Sequence, residues 1–199
     1  ETHHGKAGQK ALDDALDHLG SPDPRIRYAA RIAMENQPLE RWRSAALTGN
    51  GDTLAMLTGW TALAHADSKQ SANILSRLIK LDLKSLEEDL CLRVANLYAI
   101  CLPATENSPK DAILAQLRPL YPNQSAKLNW ALAPILIELN PQKAVAATIK
   151  LLERSEDPIQ TVHYLYQLRN AQAGWTQANR ETYFSKIGEA AGYIGDSRS

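Results

Sequence analysis

The chain has 199 residues but only one Phe, two Cys and two Met, and its 22 Lys and Arg are matched by 22 Asp and Glu. Each shortage excludes something. Without a basic excess to displace condensed counterions, nucleic acid is disfavoured as the main partner, although a local basic patch stays open. No run of about 18 apolar residues occurs, so no membrane-spanning helix is expected. Leu and Ala abound where aromatics are scarce, which favours helices over sheets. Cys91 and Cys101 fall on one predicted helix, LEEDLCLRVANLYAICL. Ten residues of helical rise put them roughly 15 Å apart, beyond disulfide reach. Two buried thiols packing as small hydrophobes are the expectation. CxxC, CxxCH, GxSxG, HExxH and phosphate-cradling glycine loops are all missing, so no cofactor is expected. The chain starts at Glu1 without a charged-then-apolar leader and ends in polar GDSRS, which reads as an excised or mature piece of a longer protein.

What is present is helix after helix. Ala11, Leu12, Ala15, Leu16 and Leu19 form a helix-period stripe closed by Gly20. Asp23-Pro24 is a cap-plus-proline start, and Ile26, Ala30, Ala33 and Met34 follow on one face. Pro38 opens a helix over Leu39–Leu47 that carries Trp42, and Gly49-Asn50-Gly51 breaks it. Further helices are expected over 52–66 and 69–81. Ser85-Leu86-Glu87-Glu88 reads as a capping box opening the cysteine helix. Ser108-Pro109 begins a stripe of Ile113, Leu114, Leu117, Leu120 and Tyr121. Pro134 interrupts the Leu128–Leu139 pattern and predicts a kink or a split. Asn140-Pro141 and Asp157-Pro158 repeat the proline start, the second followed by Ile159, Val162, Leu165 and Tyr166. Thr176 caps a last helix with Tyr183, Phe184 and Ile187 facing inward. The count is about eleven helices with no period-two alternation. The fold expected is all-α, an irregular α-α superhelix of helix pairs in a single domain over 1–199, with a globular helical bundle as the alternative.

Candidate chemistry is sparse. His3 and His4 sit in a polar terminal stretch without spaced ligands, and His18 and His65 lie near helix ends, where a cation suits the dipole. The carboxylate pairs Asp13-Asp14, Glu87-Glu88 and Glu156-Asp157 carry no mark of an acid–base pair. VHYLYQLRNAQAGWT places His163 beside two tyrosines, with Arg169 and Trp175 downstream. Positions 162, 166 and 169 share one helix face, 163 and 167 another. Such a cluster suits an anion or a sugar; it suits equally a hydrogen-bonded seam between helix pairs. Arg25, Arg27, Arg31, Arg41 and Arg43 surround Trp42 and either line a binding surface or brace neighbouring helices through loop carboxylates such as Asp23. Tyr28, Arg31, Trp42, His163, Arg169 and Trp175 are the candidate interaction residues. No catalytic, cofactor-binding or metal-ligating residue is expected.

SPDPRIRYAARIAM, with its Asp-Pro start, arginines and paired alanines, resembles the second helix of a short HEAT-like repeat. LGSPDPRIRYAARIAMENQPLERW together with VHYLYQLRNAQAGWT looks like the helical segment of large secreted planctomycete-type proteins. In those proteins HEAT-like repeats are flanked by a sugar-dehydrogenase-like β-propeller and a c-type cytochrome domain. The resemblance implies a periplasmic or exported parent of redox or carbohydrate metabolism, with any redox activity residing outside this chain. The helix-pair pattern without an active-site constellation points to a non-catalytic scaffold that binds a protein or positions the flanking domains of its own parent. The alternatives are a HEAT-like DNA glycosylase, which needs a basic concave face and a buried carboxylate, and a small-ligand or carbohydrate-binding helical domain.

Overall fold

The computed structural model describes residues 8–49 and 52–193. His3, His4, Asn50, Gly51 and the GDSRS tail lie outside them. The described residues are all-helical, with eleven α-helices and no strand. Contacts divide the chain into two compact units, Glu1–Pro109 and Lys110–Ser199.

The first unit holds α1 (Gln9–Asp17), α2 (Pro24–Glu35), α3 (Leu39–Thr48), α4 (Thr53–Ala66), α5 (Ser71–Leu78) and α6 (Glu88–Cys101). Helices α1 and α2, α3 and α4, and α5 and α6 pack as pairs, and the pairs are layered through α2, α4 and α6. Helix α4 is accordingly buried on most sides, through Leu57, Trp60, Ala62, Leu63 and Ala64. That burial is why its apolar residues run nearly continuously instead of forming a stripe. On α2, Ala30 and Met34 are buried, whereas Ile26 in the first turn stays 45% exposed. Cys91 and Cys101 are free and buried on α6, as their spacing predicts.

The second unit holds α7 (Lys110–Leu117), α8 (Ala126–Leu139), α9 (Pro141–Arg154), α10 (Pro158–Leu168) and α11 (Gln177–Ala190). Each helix touches the next, and α8 also meets α10 while α9 meets α11, so two helix pairs lie one on the other. Its core is built by Leu128, Leu132, Ile135, Leu136, Val145, Ile149, Leu152 and Leu168.

Most starts follow the expected chemistry. Asp23 accepts from the Arg25 N–H at 2.8 Å, Asp157 from Ile159 at 2.9 Å and Thr176 from Asn179 at 3.1 Å. The capping box at Ser85 does not form. Residues Leu83–Ser85 turn as a 3-10 helix in which the Asp82 carboxylate accepts from the Lys84 N–H. The Ser85 hydroxyl donates to the Asp82 carbonyl at 2.8 Å, and α6 starts from Glu87 without a side-chain cap. Pro134 does not split α8, which runs unbroken. It sits on the exposed side, where water can satisfy the Trp130 carbonyl that proline leaves without a donor. Tyr121 leaves the helical stripe after a 3-10 turn and takes an extended conformation. Its hydroxyl bonds to Thr148 Oγ1 on α9 at 2.6 Å.

Candidate functional site

Helix α10 carries two apolar faces, and only one can be inside. Thr161, Tyr164, Leu165 and Leu168 are buried. The expected core stripe of Ile159, Val162 and Tyr166 faces solvent instead, at 71%, 51% and 53% exposure, with Leu165 alone of that set inside. The same correction applies to α11: Phe184 is 66% and Ile187 40% exposed, because α9 and α10 pack against the other side of this last helix. Tyr183 is the residue of that trio that turns inward, its hydroxyl donating to the Leu165 carbonyl at 3.3 Å.

The expected division of faces along α10 holds. Val162, Tyr166 and Arg169 are together on the exposed side, with the Arg169 guanidinium 3.9 Å from the centre of the Tyr166 ring. That cation–π contact holds the exposed ring in place. His163 and Gln167 share the other face. The His163 ring stacks on Trp130 of α8, 4.6 Å between centres and 29° between planes. Its Nε2 lies 3.1 Å from the Gln167 amide nitrogen, a donor, so Nε2 accepts and the proton of the neutral ring is on Nδ1. Burial pushes the His163 pKa below its ordinary value. A neutral ring with its acceptor nitrogen engaged is a seam residue.

Trp175 donates from Nε1 to the Ala171 carbonyl at 2.8 Å and meets Tyr183 edge-on at 5.2 Å; Tyr183 in turn meets Phe184 at 5.6 Å. Burial raises the Tyr183 pKa, and the positive charge of Arg169 partly offsets it. The fold therefore brings Arg169, Tyr183 and Trp175 together. It sends His163 to a separate aromatic chain, Trp130–His163–Tyr164, which the sequence pattern did not connect to α8.

The first unit treats its candidates unevenly. Tyr28 stands 63% exposed on α2. Arg31 pairs with Glu35 one turn on, at 2.9 Å. Trp42 is not a surface residue: it is 1% exposed, and its Nε1 donates to the Gln37 carbonyl at 3.2 Å. It is a core residue of α3; of the arginines around it, Arg25 and Arg41 are exposed and Arg27, Arg31 and Arg43 half-buried. Two of those arginines brace a neighbouring helix, but not through Asp23, whose carboxylate is used by its own helix start. Arg43 reaches Asp67 at the end of α4, 3.6 Å away, and Arg41 reaches Gln9 at the start of α1, 3.2 Å away.

Reactive chemistry is muted among the described residues. Burial raises both thiol pKa values, so Cys91 and Cys101 are protonated, and Cys91 donates to the Leu83 carbonyl. The buried polar side chains are Gln37, Thr58, Ser71, Asn129, Thr148 and Thr161, with no carboxylate among them. No group of three or more His, Cys, Asp and Glu is placed to hold a metal among the described residues, and no described helix is long and apolar enough to cross a membrane. No family model, curated protein or solved structure matches the chain.

Proposed function

We propose that this chain is a non-catalytic helical-repeat scaffold or protein-interaction module within a larger exported, redox-related protein. Its partner is a protein or a flanking domain of the same parent chain. The observation that carries the reading is the exposure of Ile159, Val162, Tyr166, Phe184 and Ile187 along α10 and α11. Tyrosine, phenylalanine and arginine are the residue types enriched in interface centres. Tyr166 is held by Arg169, which lowers the entropy lost when a partner orders the ring. The layered helix pairs of each unit suit a HEAT-like repeat, and export rests on the resemblance of the two quoted motifs.

The first test reads the full-length gene on both sides of this chain. A signal peptide, a propeller and a CxxCH domain support the reading; a free-standing reading frame overturns the scaffold-in-a-parent part of it. Neighbouring domains produced separately should then bind the chain in calorimetry, and a Tyr166→Ala/Phe184→Ala variant should bind them at least about tenfold more weakly. Turnover by the isolated chain on a dehydrogenase substrate overturns the non-catalytic reading. Carbohydrate binding is the second reading, favoured by the exposed Tyr166 ring and by the exposed Phe184 ring, which Tyr183 links to Trp175. It requires sugar-dependent quenching of tryptophan emission that Trp175→Ala removes.

A further inference from the structure

The first unit contains a cleft of about 500 Å³ between the end of α3, the middle of α4 and the end of α5. Leu47, Met56, Trp60 and Leu81 supply its apolar wall, and Arg77 and Lys80 supply its charge. Among the described residues no carboxylate lines it, and no ion pair or side-chain hydrogen bond joins Arg77 or Lys80 to another. Arg77 lies in the last turn of α5 and Lys80 two residues past its end, where cations complement the helix dipole, and that alone accounts for their placement. It does not account for two cations with no described partner lining one cleft with an apolar wall. A second cleft of about 720 Å³ shares Thr48 and Met56 with the first and carries the carboxylates of Asp17 and Asp52. Those carboxylates repel a polyanion and leave a single negative charge as the best match.

We propose that the Arg77–Lys80 cleft binds an apolar monocarboxylate, its acid group on the two cations and its hydrocarbon part against Met56, Trp60 and Leu81. A guanidinium fork matches a carboxylate in geometry as well as charge, and a lysine adds a mobile point charge. A small number of polar groups on an apolar wall is the usual build of a small-ligand site. The acid could be free or the carboxyl terminus of a peptide ending in an apolar residue; the chemistry recognised is the same. The site lies on other helices than the α10–α11 face, so either reading can fail alone.

Calorimetric titration of the whole chain with octanoate, octanamide, and Ala-Ala-Leu as free acid and as amide tests this. Both acids should bind and both amides should not. The Arg77→Gln/Lys80→Gln variant should weaken acid binding at least about tenfold, with an unchanged urea midpoint. Tighter binding of the peptide acid assigns a protein carboxyl terminus, and tighter binding of octanoate assigns a small free acid. Lys80→Gln alone, an exposed position, gives the same reading if the double variant does not fold. No binding of either acid, equal binding of octanoate and octanamide, or parent-like affinity in the variants overturns the proposal.

Discussion

Gly174 is the residue on which the loop between α10 and α11 depends. Its φ is +83°, and an added Cβ would fall 2.2 Å from the Pro141 carbonyl oxygen, a backbone atom that cannot step aside. Gly174→Ala should therefore cost more than about 2 kcal/mol in urea unfolding. Gly188, inside α11 with nothing within 4 Å of an added Cβ, is the matched control, and Gly188→Ala should stabilise by about 0.5–1 kcal/mol. At His163 burial lowers the folded pKa below the ordinary 6.5, so on acidification the unfolded chain takes up its proton first. The stability it contributes is complete above about pH 6.5 and falls as the pH drops from there toward the folded pKa. His163→Phe keeps a ring on Trp130 and removes the titration, so its stability should vary less between about pH 7 and 5 than the parent's. Tyr121, pushed up to about 12 chiefly by burial, acts at the other end of the scale. It loses its contribution as the pH rises past the free tyrosine value toward 12.

At the scale of the element, caps were the most legible feature, because a cap is a contact between residues two or three apart. Asp23, Asn140, Asp157 and Thr176 all serve where their spacing placed them. Ser85 fails because Asp82, three residues earlier, claims the turn first and leaves the serine hydroxyl bonded to a carbonyl. Asp157→Ala should cost about 1 kcal/mol and Ser85→Ala less than about 0.5, both by urea midpoint. The faces of α10 and α11 were less legible. Ile159, Val162 and Tyr166 are as well spaced as Thr161, Tyr164, Leu165 and Leu168, and periodicity alone cannot rank two apolar faces of one helix. The packing of α8, α9 and α11 on α10 decides between them.

At the scale of the molecule, each unit has its own buried set. Leu12, Met34, Trp42, Leu63, Ile74 and Leu97 belong to the first, and Leu132, Val145, Ile149, Leu152, Tyr164 and Leu168 to the second. Fragments 1–109 and 110–199 should each unfold cooperatively in urea, with helical circular dichroism in its absence. A fragment that is unstructured alone would mean that its core depends on the rest of the chain.

The sequence by itself determined the class of fold, the number and ends of most helices, and the burial of both thiols. These follow from local steric and hydrogen-bonding preferences and from a 3.6-residue period. Tertiary structure alone decided that Trp42 is core, that His163 stacks on Trp130, that Phe184 and Ile187 stay outside, and that Arg77 and Lys80 face an apolar wall. Each of those outcomes depends on which helix lies opposite. That is set by contacts between residues far apart in the chain, whose pairing no local pattern encodes.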